Sequence, residues 1–175
     1  MIALLARMRA DLDRLDDARR FFHITYLRTT QAISDEIDRG GFIDKAWVSR
    51  WDLAFAKLYT DALDADRRRD AVPGPWRIAF DAARDQPDLP PLRHVLFGLN
   101  AHINYDLPQA LVDVITPADF DSPAVRHARE EDHRHVDVVL QARVDAEDRE
   151  LNAISRVTLL DRLLRPANRM ASRRF

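Results

Sequence analysis

Residues 92–107 read LRHVLFGLNAHINYDL, and at 100° per residue the apolar side chains of this stretch surround a whole helix instead of forming one stripe. Such a helix belongs in the middle of a bundle. Within it His102 and Asp106 stand four residues apart, so they share one face, in line with Val95, Leu99 and Ile103. Asn100 and Asn104 make a second polar pair at the same spacing, rotated away from the first. A carboxylate or imidazole buried without a partner is costly, so the inward pair calls for a partner, a metal or a function. Pro108 lacks a backbone donor and predicts a kink or restart near Leu107, before Gln109 to Val114.

Working outward, helix remains the default, because glycines are few and alternating β-branched runs are missing. Toward the N-terminus a first helical piece covers Ile2 to Leu15. Asp16 or Asp17 can cap a second, which runs to Arg39 and stops at Gly40-Gly41 with Phe22, Tyr26, Ile33 and Ile37 on its apolar face. Asp44 can cap a third, Lys45 to Asp66, whose stripe is Trp47, Trp51, Ala54, Phe55, Leu58 and Ala62, with Asp52 away from its centre. Trp76 to Ala83 reads as a short helix between proline-bearing loops, and Trp76, beside Pro75, could wall a pocket.

Beyond Pro123 a long helix runs from Ala124 to Leu151, and a short one follows near Val157 to Leu164. The long helix carries Val125, Val136, Val139, Leu140 and Val144 on a face interrupted by Arg129, Asp132 and His133. If that face packs on the central helix, His102, Asp106, Asp132 and His133 meet. Bundle cores are where helical metal and proton-transfer sites are built. Imidazole with carboxylate suits zinc, manganese or iron, and the same groups serve as general base and acid. His23 and His94 read as satisfied or solvated histidines, with His94 opposite the His102 stripe, and His127 reads as a surface residue.

The expected fold class is all-α, a single-domain bundle of about five to seven helices over residues 1–175 around the central helix 92–107, with a basic tail at 162–175. The length supports one core and is short for two. Apolar residues at 46%, charged residues at 32% and a net charge of −2 exclude a disordered charged polymer. The absence of cysteine removes disulfides, thiolate metal ligands and a cysteine nucleophile. Neither a secretory leader nor a membrane span is legible, so no membrane partner is expected and the expected address is cytoplasmic. Near-neutral charge argues against nucleic acid, although Arg162, Arg165, Arg169, Arg173 and Arg174 make the C-terminal end locally basic.

No GxSxG, GxGxxG, GxxxxGK[ST] or HExxH pattern occurs, and ExxH occurs once, at Glu130 and His133. Serine hydrolysis, Rossmann redox chemistry, P-loop hydrolysis and ferritin-type di-iron chemistry are therefore disfavoured.

The segments PGPWRIAF and LPPLRHVLFGLNAHINYDLPQAL, with Phe22, Tyr26 and Thr30 and the Trp47 to Tyr59 stretch, resemble a bacterial family of helical domains, domain of unknown function fifty-nine ninety-five. The resemblance covers nearly the whole chain and centres on Asn100 to Leu107. It implies an α-helical domain and brings no activity with it. Relatives continue with further helices, so the chain is expected to be short or truncated at its C-terminus. A looser likeness is to zinc-dependent phospholipase C and related single-strand nucleases, which use HxxxD followed by Gln-Pro-x-His. His102 and Asp106 match the first element, but Leu107-Pro108-Gln109 reverses the second and no histidine follows.

Two functional readings result. The first is a small-molecule enzyme, a hydrolase or lyase of specialised metabolism. Here His102, Asp106 and His133 are catalytic, Arg129, Asn100, Asn104 and Trp76 bind substrate, and a divalent metal sits on His102, Asp106, Asp132 and His133. The second is a non-catalytic helical subunit or binding module, meeting a protein partner or a second copy, whose polar core is structural.

Overall fold

The computed structural model describes residues 2–14 and 16–154, the side chains of 4, 5 and 144–154 excepted. Among these residues every regular element is helical: α1 (Ile2–Arg14), α2 (Arg20–Arg39), α3 (Lys45–Arg68), α4 (Gly74–Asp85), α5 (Pro91–Ala101), a π-turn (His102–Asp106), α6 (Leu107–Val114), α7 (Pro117–Asp121) and α8 (Pro123–Ile154). The expected all-α architecture is present. The chain divides between Leu140 and Gln141 into two units, and everything below concerns the first. The expected helix at 157–164 and the basic tail at 162–175 lie outside the described residues.

The helix ends follow from local chemistry. Gly40 takes a left-handed φ of 77° and closes α2, its amide reaching the carbonyls of Glu36 and Ile37. The Asp44 side chain accepts the Trp47 amide at 2.9 Å and opens α3. Pro75 and Pro91 sit in the first turns of α4 and α5, where a missing N–H costs nothing.

Two apolar clusters make the core, and α3 contributes to both. Tyr59, Ala62 and Leu63 pack with Leu12, Phe22, Tyr26, Trp76, Phe80 and Ala101 in one. Trp47, Val48 and Trp51 pack with Ile33, Phe42 and Ala110 in the other, with Val136, Val139 and Leu140 of α8 against it.

Helix α5 differs from expectation. It is buried along His94, Gly98 and Ala101, whereas Leu92 and Leu96, with Ile103 in the π-turn, are about half exposed. His94 lies on the His102 side instead of opposite it, because eight residues return the helix to within about 80°; it is buried and stacks on Phe21 at 5.8 Å. The apolar residues do ring the helix, but the surrounding bundle covers one side of it.

Candidate functional site

The polar residues of the central helix sit at a change in helical pitch. From His102 to Asp106 the backbone makes a π-turn, with the Leu107 amide bonded to the His102 carbonyl five residues back. Pro108 explains its position. Its ring clashes with the carbonyl four residues earlier and it has no N–H to donate, and the widened turn ahead of it relieves both before α6 resumes. The Gln109 side chain donates to the Tyr105 carbonyl at 2.7 Å.

His102 and Asp106 are 3% and 1% exposed, and His102 Nδ1 lies 2.8 Å from Asp106 Oδ2. Trp76 Nε1 donates to the same carboxylate, 3.1 Å from Oδ1 and 2.9 Å from Oδ2. Trp76 is therefore a buried donor that orients Asp106, and its ring also borders a narrow second pocket with Arg19, Phe80 and His94. The imidazole stacks on Phe55 with ring centres 3.6 Å apart and meets Tyr26 edge-on at 4.6 Å. Burial lowers the His102 pKa against the opposing pull of Asp106, so the ring is neutral. Because Nδ1 faces the carboxylate, the neutral tautomer is assigned with its proton on Nδ1. Nε2 is left buried without a hydrogen-bond partner.

The helices close tightly over this pair. A Cβ on Gly98 would lie 2.3 Å from the Phe22 ring, and Phe22 packs against both Trp76 and His102. Nearby polar groups had no signal in the periodicity. His23 Nδ1 pairs with the Tyr59 hydroxyl at 2.8 Å, which makes His23 a satisfied core histidine. Asp52 on α3 is half-buried, and desolvation pushes its pKa up to about 6. Spacing placed Asp52 off the apolar stripe and gave no hint of its titration, which depends on what α3 packs against.

The polar residues of α8 form a separate centre at the start of α3. Asp132 is 1% exposed and accepts the amides of Ile43 at 2.7 Å and Asp44 at 2.8 Å. Arg129 Nη1 donates to Asp44 Oδ2 at 2.8 Å, holding the Asp44 carboxyl below its usual range, and its guanidinium lies 4.7 Å over the Trp47 ring. His133 stacks on Trp51 at 5.2 Å. Two residues on, His135 Nε2 meets Glu36 Oε1 at 2.7 Å and Phe42 covers its ring. The sequence overlooked this second histidine pair, whose partner is 99 residues away.

The expected convergence of His102, Asp106, Asp132 and His133 does not occur. The first two face the Phe22–Trp76 cluster through α5 and the π-turn, while the α8 face packs one turn or more away along α3, on Trp47 and Trp51. Both oxygens of Asp132 are occupied by backbone amides. Among the described residues no group of three or more histidines and carboxylates is placed to hold a metal ion. Asn100 and Asn104 bond to each other at 2.8 Å and are exposed, so they do not join the buried pair. Arg129 and His133 do share a cavity. It has a volume of about 450 Å³, runs between α6, α7 and α8, and is walled by Trp47, Leu111, Ile115 and Phe120 as well.

No helix among the described residues is long and apolar enough to cross a membrane. No curated protein and no solved structure matches the chain. The model of the family of unknown function DUF5995 matches residues 1–175, and the chain belongs to that family.

Proposed function

We propose that the protein acts on a small molecule held in the cleft between α6, α7 and α8, with His133 as the proton-transfer group. The observation that carries this reading is the cavity of about 450 Å³ in which His133 and Arg129 stand beside the Trp47 ring. That volume is typical of a metabolite site, and an apolar wall with a few polar groups is the usual composition. Hydrolysis and elimination each need a base within reach of water or a C–H group, which His133 supplies. Arg129, committed to Asp44, fixes the wall and the start of α3. The proposed enzyme is thus a hydrolase or lyase without a metal on the four residues expected from sequence.

A second reading, a non-catalytic helical module, draws on a different observation. The His102–Asp106 pair is enclosed by aromatic rings and does not line the cleft, so its role fits fixing the register of α5 and α6. The two readings separate on turnover of p-nitrophenyl acetate and p-nitrophenyl phosphate by the purified chain. The enzyme reading expects release of p-nitrophenol that His133→Gln lowers at least about a hundredfold, the usual scale of general acid–base catalysis, with folding retained by circular dichroism. Turnover indifferent to His133→Gln but lost in His102→Gln would move the chemistry to the core pair. No turnover of either ester would favour the binding module.

A further inference from the structure

We propose that the cleft takes an amphipathic anion about 10 Å long, with its carboxylate or sulfonate head on Arg126 and its apolar body across Phe120, Leu111 and Ile115. The end that reacts would lie toward His133. This rests on the cleft reading above and adds the class of ligand.

The charges around the cavity decide the sign. Its walls hold Arg126, Arg129, Arg134 and His133 against Asp119 and Glu130. Arg129 is taken by Asp44 at 2.8 Å and lies 3.9 Å from Asp119. Asp119 also accepts the Thr116 amide at 2.9 Å, closing the capping box of α7. Arg134 pairs with Glu131 and reaches Glu130 Oε2 at 3.7 Å. Both wall carboxylates therefore have internal partners, and among the described residues Arg126 is the wall guanidinium without an ion pair. A cleft with its acids committed and one arginine unspent favours an anion.

The apolar side decides the body. Leu111 and Ile115 are half-buried, while Phe120, in the same wall, is 61% exposed. A ligand lying on Phe120, Leu111 and Ile115 would remove that surface from water. Arg126 and His133 are seven residues apart on α8, about two turns or 10 Å along one side of the helix. One small ion cannot be held by both, whereas a molecule of two fused rings spans the interval. The acidic group is thus the handle, and the bond to be changed is at the other end.

Fluorescence titration with 8-anilinonaphthalene-1-sulfonate and with its neutral parent, N-phenyl-1-naphthylamine, tests this. The sulfonate should bind about tenfold or more tighter, the scale of one charge-assisted hydrogen bond. Arg126→Met, at an exposed residue, should cut that preference to within about twofold, and Arg126→Lys should keep most of it. Phe120→Ser should weaken both probes. Equal binding of the two probes by the unaltered chain, or a preference that survives Arg126→Met, overturns the anion assignment. In either case a loss of binding in Phe120→Ser would leave the cleft reading standing. If neither probe binds, or if Phe120→Ser changes nothing, the cleft reading falls with it. Thermal melts of each variant identify probe binding that comes only from loosened packing.

Discussion

His102 Nδ1 and Asp106 Oδ2 lie 2.8 Å apart across the π-turn, and Trp76 Nε1–H shares the same carboxylate. Asn at position 106 keeps the shape but offers one acceptor oxygen and adds an NH₂ that faces donors. Asp106→Asn should lower unfolding free energy by about 2–4 kcal/mol, in the range for breaking one side of a buried charged hydrogen-bond network. Urea denaturation measures it, and a loss under about 0.5 kcal/mol would show that the network contributes little. The same pair sets a pH dependence. The folded-state pKa of His102 is lowered by burial, so the unfolded chain takes up the proton first. Its contribution is complete above the ordinary histidine value, about 6.5, and declines as pH falls below it. His102→Phe should flatten that decline.

Asp52 predicts the opposite slope. Burial raises its carboxyl to about 6, so the folded state holds the proton more tightly than the unfolded chain. The stability this gives is complete below about pH 4 and is lost as pH rises through about 6. Asp52→Asn should therefore stabilise the protein at pH 7.5, by about 1–2 kcal/mol after allowance for partial exposure, and should be near neutral at pH 4. Melting curves at the two pH values compare them directly.

Gly98→Ala reverses a general rule. In an exposed helix interior the change gains about 1 kcal/mol, but here the new methyl would meet the Phe22 ring at 2.3 Å. Destabilisation of about 2 kcal/mol or more is expected, as for overpacking in a tight core. Phe22→Leu in the same chain should recover part of it.

Asp132→Ala removes the acceptor of two amides. Hydrogen exchange at Ile43 and Asp44 should accelerate by at least about tenfold, with a stability loss of about 1–3 kcal/mol. Unchanged exchange at those two amides would mean that Asp132 does not hold the α2–α3 loop.

The readable features are those with causes close in sequence. Gly40 ends α2 and Asp44 opens α3 because a left-handed glycine and a carboxylate cap act within a few residues. His102 and Asp106 share a face because any helix brings positions four apart together. Even the place of the π-turn has a local cause in Pro108, although that proline by itself predicts a kink or restart and not a π-turn.

What α8 touches was not legible. Its stripe names an apolar face but not the partner, and the same stripe that would have carried Asp132 and His133 to His102 lies instead on Trp47 and Trp51. Asp52 shows the same limit, since its titration depends on burial against elements remote in sequence.

The sequence alone thus determined the helical class, most helix ends and the inward pairing of His102 with Asp106, because these depend on backbone periodicity and short-range hydrogen bonding. Tertiary structure decided that the two polar centres stay apart, that Trp76, thirty residues away, donates to Asp106, and that an open cavity belongs to the α8 centre. Those outcomes turn on which apolar faces of distant segments pack together.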